Sequence, residues 1–560
     1  MYSSNESLDR SKITNRHHVC SSGLEKHKPQ ITDDAQEVDL AEFQFFNPEP
    51  EKFPRSVRTL EEGGRYLMSR ESNLIGPAQE IARIVENIPI NNDYRQIPRA
   101  LIVGGLVRDT LAGESESKDL DLEVYGVSMA DLRNHLISYF GEDRVKLEGE
   151  SFQAIKVFLE NASIDVTIPR RDSKTSSGHK GFEVTGDPSM TITEAARRRD
   201  FTINTFSADP LTGRIYDPFD GLNDLRTGIL RAVDFERFAD DPLRVYRGVQ
   251  FMARMGLTVE KETEKLLISM VAAGMLDELP RKRVTDEMHK LLLKAESPSL
   301  GLEYMFTLGI TERHWPELHA LKGVQQDPVW HPEGDVWTHT LMVVDKARTL
   351  IGASENNPFS EKESQEIMWA ALAHDLGKVA TTKYENGRFR AHGHEAAGAD
   401  PARKMLERIE IHTRSKDVIV ACVQRHLQAA TLYHSYINGT LEERGYANAV
   451  RKVLRHIGPE KMDVFLAVSE ADHRGRTTPD ANEEHYKPAN KFREVASKHG
   501  CLEEARTQLI TGKDLISMGL NPGPLFGTLQ QRIEALRDEG VVVNKSEALD
   551  FVQRWLEKER

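Results

Sequence analysis

The stretch Leu101–Tyr125, LIVGGLVRDTLAGESESKDLDLEVY, decides the fold of the first half of the chain. An apolar run, Ala100–Val103, ends at Gly104–Gly105, the pattern of a strand entering a tight turn. A helix carrying Arg108 and Asp109 follows. Leu120–Tyr125 then alternates apolar and acidic residues through its first four positions, as a half-buried strand does. Residues two apart on a strand point to one face, so Asp119 and Asp121 converge. Two such carboxylates can bridge two Mg²⁺ ions that clamp a triphosphate and activate an incoming hydroxyl. The paired glycines let backbone N–H groups approach phosphate oxygens, and Arg108 can add charge-assisted bonds. Alone, an Asp-x-Asp pair is most often a solvent face and Gly-Gly a turn; in the closely spaced order strand–turn–helix–strand they are far more specific.

This order resembles the signature of the DNA polymerase β nucleotidyltransferase superfamily. Around it, Ala154–Leu159 and Ile164–Ile168 read as further strands and Met129–Phe140 as an amphipathic helix, giving a small mixed sheet covered by helices. Asp165 is a candidate third carboxylate. Asp172–Gly181, rich in Ser, Gly and Lys, reads as a loop. Arg198, Arg199, Asp200 and Asn204 resemble the Arg-Arg-Asp-x-x-x-Asn motif of class II tRNA nucleotidyltransferases and bacterial poly(A) polymerases. Asp217, Pro218, Phe219, Gly221, Asp224, Leu225 and Arg231 resemble the linker motif that follows it. Asp240, Asp241, Pro242, Leu243 and Arg244 resemble the base-reading Glu-Asp-x-x-Arg motif, with Asp240 in place of the usual Glu.

The base-reading pair has a mechanism of its own. Asp241 and Arg244, three apart, share a face if they lie on a helix. A carboxylate accepts hydrogen bonds and a guanidinium donates them. Cytosine and adenine each present an amino donor beside a ring-nitrogen acceptor, whereas uracil and guanine carry a carbonyl and a ring N–H there. Such a pair selects CTP and ATP without a nucleic-acid template; outside the motif series it reads as a surface ion pair. Arg247 repeats the spacing and reads as a phosphate contact or as an exposed arginine. By resemblance, Asp200 and Asn204 contact the ribose hydroxyls, and Arg199 or Arg198 steadies phosphates.

The second constellation lies farther along. His339, the adjacent pair His374–Asp375 followed by Leu-Gly-Lys, and the distant Asp472 can form a mixed imidazole–carboxylate site for a divalent metal. They resemble the metal-ligand pattern of the HD phosphohydrolase superfamily. His392, His394 and His426 are possible extra ligands for a second metal. The bland alternative is a helix end at which Gly377 acts as a cap.

The length of 560 residues suggests three or more domains. Hydrophobic residues at 39% and charged residues at 29% fit a globular protein rather than a disordered one. A mean hydropathy of −0.51 comes with no apolar run long enough for a membrane span or a secretory signal. Cys20, Cys422 and Cys501 form neither a disulfide framework nor a metal motif, which suits a cytoplasmic protein. The net charge of −14 argues against non-specific coating of nucleic acid. It is compatible with a local basic groove, for which Arg197–Arg199 and Arg281–Arg283 are candidates beside their reading as solvated helix faces.

The expected architecture is a polar leader over 1–60, with His17, His18 and Cys20 as tail residues, then an α/β polymerase-β-like head over 61–235 with its core from about 98. A helical neck over 236–325, an HD-type helical domain over 326–480 and a helical tail region over 481–560 complete a long all-α body. Together the two constellations resemble the bacterial multifunctional CCA-adding enzymes. That resemblance implies a Mg²⁺-dependent enzyme with catalytic Asp119 and Asp121 that builds the 3′-terminal CCA of tRNA from CTP and ATP. It also implies an HD phosphohydrolase acting on RNA ends such as 2′,3′-cyclic phosphates. The rivals are a poly(A) polymerase, an enzyme adding only CC or only A, an HD hydrolase with a non-catalytic RNA-binding head, and a pure RNA scaffold.

Overall fold

The computed structural model describes residues 57–69, 72–113, 120–148, 154–160, 163–174, 182–352, 357–506, 508–538 and 541–559. Asp119, His17, His18, Cys20 and residues 175–181 of the expected loop lie outside them.

The runs of the head form strands in which β-branched and other apolar residues such as Ile102, Leu122, Val124, Ile155 and Val166 fill the buried positions. In chain order these are β1 (Arg99–Val103), β2 (Asp121–Tyr125), β3 (Val145–Glu148), β4 (Ala154–Phe158), β5 (Ser163–Thr167), β6 (Arg170–Lys174), β7 (Phe182–Gly186), β8 (Ser207–Ala208) and β9 (Ile215–Tyr216). Seven make one mixed sheet in the order β3-β4-β5-β2-β1-β8-β9. Only β2 and β5 pair in parallel in that sheet; β1 runs antiparallel to both β2 and β8. Helices Ser72–Glu86 and Met129–Phe140 pack with this layer. The second begins at an N-cap, Ser128, whose hydroxyl accepts from Asp131 N.

β6 and β7 form a separate antiparallel hairpin, so Asp172–Lys174 is strand rather than loop. The Ser/Gly/Lys composition concealed it because Asp172 pairs with Val184, a partner beyond the polar run.

The body is helical, with two small interruptions: a parallel pair Ile229–Leu230 with Thr258–Val259 and a hairpin, Lys383–Glu385 with Arg388–Arg390. Its centre is the helix Glu361–Ala373, started by a Ser360–Glu363 capping box and buried from Ser364 to Ala373 except at Gln365. A helix apolar nearly all round must be enclosed. Here Val336–Ile351, Thr413–Arg425 and Met462–Arg474 enclose it, and the small side chains of Ala370, Ala371 and Ala373 suit close packing. A contiguous apolar core runs from the head into these helices, whereas the C-terminal helices pack around a smaller cluster including Leu515, Ile533 and Val552.

Candidate active sites in the head and the helical body

Register places the head residues. Asp121 stands opposite Val103 on β1 and opposite Asp165 on β5, so Gly104, Asp121 and Asp165 meet at one end of the sheet. Gly104 has φ +80°, which favours glycine, and a Cβ there would lie 3.0 Å from Asp121 Oδ2. The backbone therefore closes directly onto that carboxylate. Asp165 is held by Lys156 Nζ at 3.3 Å, and Lys156 also reaches Glu148 at 3.2 Å.

Behind this edge runs a relay of polar side chains. Arg108 is buried; its Nε donates to Asp109 Oδ1 and its Nη1 to Asn204 Oδ1, both at 2.7 Å. Asn204 Nδ2 donates to Asp200 Oδ1 at 2.9 Å, and Arg247 Nε donates to Asp200 Oδ2 at 2.6 Å. Both guanidinium groups lie against the Phe251 ring, at 4.9 and 5.3 Å from its centroid. Burial raises the Asp200 carboxyl, but Arg247, Asn204 and the Phe201 N–H outweigh it and hold it below the ordinary range. Arg108 and Arg247 are thus both tied into this relay, with Arg108 Nη2 beside the glycine turn, 3.4 Å from where a Cβ of Gly105 would lie, and Arg247 half-buried. Arg199 donates to the Asn204 and Phe206 carbonyls at 3.1 and 2.8 Å, fixing the turn Thr202–Asn204. In the linker motif, Asp217 caps the helix Gly221–Thr227 by accepting from Gly221 N and Leu222 N.

The base-reading pair differs from its expected geometry. Only Arg244 is helical, at the start of Arg244–Met255; Asp241 precedes it in the turn. Pro242 favours that boundary, because the residue before a proline is pushed out of the helical region. The side chains do not pair with each other as a surface ion pair would. Asp241 Oδ2 accepts from Arg283 Nη2 at 2.7 Å, while Arg244 donates to the Arg237 and Arg198 carbonyls at 3.0 and 2.5 Å. Of the basic runs, Arg283 thus packs on the reading turn and Lys282 pairs with Asp286, while Arg281 remains exposed.

The second constellation converges at the ends of the enclosing helices. His339 Nε2 stands 3.1 Å from Asp472 Oδ1 and 3.8 Å from Asp375 Oδ2; His374 Nε2 stands 3.1 Å from Asp375 Oδ2 and 3.9 Å from Asp472 Oδ1. On the other oxygen, Asp375 Oδ1, His394 Nε2 and His426 Nε2 stand at 3.3 and 3.9 Å. His374, His394 and His426 each place Nδ1 2.8 Å from the carbonyl three residues earlier. A carbonyl only accepts, so these Nδ1 atoms carry the proton and each Nε2 is the ring nitrogen turned to the cluster. Burial lowers the His426 pKa to about 3, keeping that ring neutral.

His394 Nε2 and His426 Nε2 lie only 3.3 Å apart beside a carboxylate oxygen. His374 Nε2 and both Asp375 oxygens are buried without a well-directed hydrogen bond, with the Lys378 ammonium 2.7 Å from Asp375 Oδ2 and, among the described residues, only the histidines beside Oδ1. Buried polar atoms in this state call for a cation, and the imidazole–carboxylate donor set fits a divalent metal in two adjacent positions sharing Asp375. His392 is exposed and belongs to neither group.

Three contributors, Glu333, His331 and Arg476, escaped the sequence reading, and a fourth, Lys378, was read only as part of the His-Asp motif. Glu333 Oε1 stands 2.8 Å from His339 Nδ1 and 2.9 Å from His331 Nδ1; Lys378 Nζ stands 2.7 Å from Asp375 Oδ2; Arg476 Nη2 stands 3.6 Å from Asp472 Oδ2. Lys378 and Arg476 had a signal, being one turn from Asp375 and Asp472 on the same faces; Glu333 and His331 had none. Gly377 has no left-handed backbone, so it does not close a helix as the bland alternative had it: a Cβ there would lie 2.0 Å from the His394 carbonyl oxygen, and glycine lets the two segments touch.

Comparison with known proteins agrees with this layout. Residues 100–231 match the Poly A polymerase head domain, 256–322 the probable RNA and SrmB-binding site of polymerase A, and 336–471 the HD domain. The chain is 33% identical over 448 residues to the multifunctional CCA protein of Thioalkalivibrio sulfidiphilus, covering 78% of this chain and 98% of that protein. With the Pasteurella multocida protein of the same name it is 33% identical over 384 residues, covering 67% and 84%. A solved CCA-adding enzyme in complex with ATP shares the fold at TM-score 0.51 and 20% identity, over 89% of this chain and 99% of that one. Among the described residues no helix is long and apolar enough to cross a membrane. With a polymerase-type nucleotidyltransferase head and an HD domain in one polypeptide, the chain belongs to the multifunctional CCA protein family.

Proposed function

We propose that the head adds or repairs the 3′-terminal CCA of tRNA from CTP and ATP, without a nucleic-acid template and with release of pyrophosphate. The observation that carries this is the reading turn: Asp241 and Arg244 are each anchored by a third group, Arg283 on one side and two carbonyls on the other. Anchored in this way, one acceptor and one donor are pre-positioned for the amino and ring-nitrogen edge common to cytosine and adenine. The names of the relatives, and solved CCA-adding enzymes of the same fold bound to ATP and to CTP, support the reading.

Asp121, with Asp119 two positions before it, would hold Mg²⁺. Bound there, magnesium neutralises triphosphate charge and eases ionisation of the attacking hydroxyl. The Gly104–Gly105 turn brings backbone N–H groups toward the phosphates. The tRNA 3′-hydroxyl attacks the α-phosphate of the incoming nucleotide and the bond to pyrophosphate breaks. Arg108, Asp200, Asn204 and Arg247 act as positioning residues, fixing the reading helix against the sheet edge. Arg199 holds the intervening turn.

In the HD domain, His339, His374, Asp375 and Asp472 would hold one divalent metal, and Asp375, His394 and His426 a second. Such a centre polarises a phosphoryl oxygen and supplies a nucleophile for hydrolysis, here at RNA ends such as 2′,3′-cyclic phosphates. Glu333 orients His339 for that task. We assign a leader to 1–60, the head to 61–235, the neck to 236–325, the HD domain to 326–480 and the tail region to 481–560, and place the protein in the cytoplasm, where buried thiols such as Cys422 and Cys501 stay reduced.

Nucleotide selection is the test. Asp241→Ala and Arg244→Ala should lose preference for CTP and ATP over UTP and GTP while the melting temperature stays close to wild type. Unchanged selection by folded variants overturns the assignment.

A further inference from the structure

The cavity over the HD cluster, about 220 Å³, has two kinds of wall. Asp375, His394, His426 and Asp472 line it on the metal side; Trp330 and Phe389 line it from two separate segments, the loop before the helix Val336–Ile351 and the hairpin Lys383–Arg390. Lys378, Arg390 and Arg476 add positive charge.

Trp330 is 58% exposed, so it contributes little to the core. The backbone that carries it is nonetheless fixed. Trp330 N and His331 N donate to the Asp327 carbonyl at 3.1 and 2.9 Å, and Val329 N donates to Asp327 Oδ1 at 3.0 Å. Arg388 Nε stands 3.9 Å from Asp327 Oδ2, linking the hairpin to the same loop. Lys378 Nζ donates to Gln326 Oε1 at 2.7 Å, linking the loop to the cluster. A wet indole on a held loop, beside cations and the imidazole–carboxylate cluster, matches the parts of a nucleotide: a flat base, a sugar and an anionic phosphate.

We propose that Trp330 is the base-stacking platform of the HD site, which takes a nucleotide or RNA 3′ end with its terminal base on the indole and its phosphate toward Lys378, Arg390 and Arg476. Stacking uses the π-face that every base has, so the site accepts all four bases. The proposal rests on the phosphohydrolase reading for the fate of the phosphate, but base recognition is measurable without turnover.

The test is equilibrium binding of 3′-UMP and of ribose 3-phosphate to the full-length protein; uracil is chosen because the head's reading pair mismatches it. Trp330→Ala should weaken 3′-UMP about tenfold or more, within the range of base–aromatic stacking, and leave ribose 3-phosphate unchanged. Trp330→Phe should retain most of the affinity, and CCA addition should not change in either variant. Equal loss for both ligands, no loss for either, or no 3′-UMP binding by the wild type overturns the proposal. If the binding pattern holds but no phosphate ester is cleaved, the platform stands and the phosphohydrolase reading fails. If cleavage occurs and Trp330→Ala leaves KM for base-bearing and base-less cyclic phosphates unchanged, the platform fails and that reading survives.

Discussion

Arg247 Nε lies 2.6 Å from Asp200 Oδ2, joining the helix that opens with Arg244 to the turn that carries Asn204. Asp200 is buried, and Glu287 stands 3.9 Å from the other side of the same guanidinium. The folded protein therefore keeps a carboxylate ionised where burial alone would neutralise it.

The sign of its pH dependence follows. A carboxyl depressed in the folded state contributes stability above its unfolded value, near 3.8, and loses that contribution as pH falls through the folded value. Asp200→Asn should cost about 3 kcal/mol at pH 7, the low end for breaking a buried pair because Glu287 remains near Arg247. Below about pH 4 the difference between variant and wild type should shrink. Urea unfolding at pH 7 and at pH 3 measures both; a difference that grows in acid contradicts this.

The two centres should separate by mutation. Asp121→Ala should lower nucleotide addition by about 10³-fold or more and spare phosphodiester hydrolysis, since its place is at the sheet edge. His374→Ala with Asp375→Ala should do the reverse. Full hydrolysis by the double variant contradicts the metal assignment. Parallel assays on one preparation of each protein decide it.

Glu333 stands 2.8 Å from His339 Nδ1, the nitrogen turned away from the cluster. Glu333→Gln should weaken divalent-metal affinity by about 10- to 100-fold, as loss of an outer partner does. Isothermal titration with Mn²⁺ or Ni²⁺ reads it directly. Metal should also raise the melting temperature of the wild type more than that of His374→Ala.

Gly377→Ala puts a methyl group 2.0 Å from the His394 carbonyl oxygen, so backbone must move. A loss of about 1–3 kcal/mol is expected from overpacking, together with weaker hydrolysis because His394 shifts. Wild-type stability in that variant contradicts the close approach.

What could be read from sequence was local. The helix Met129–Phe140 and the strands around Asp121 and Asp165 follow from periodicity, and His374–Asp375 from adjacency. What could not be read depends on residues that meet only after folding. Arg108 is readable as a residue of the glycine turn, but that its Nη1 donates to Asn204, 96 positions away, is not. Asp241 and Arg244 look like a helical pair until Pro242 keeps Asp241 out of the helix that starts at Arg244 and Arg283 takes the carboxylate. Glu333 lies in a loop with no periodicity to mark it, and only the tertiary position of His339 gives it a role.

Extension of three tRNA transcripts, ending before CCA, after C and after CC, bears most directly on the reading of the head. Purified protein with Mg²⁺ is given CTP and ATP separately and together, and products are resolved at single-nucleotide spacing. With both nucleotides present, extension of every transcript to CCA, and no farther, is the expected result. Under that condition, long A tracts, addition of only CC or only A, or no extension of any transcript would contradict it.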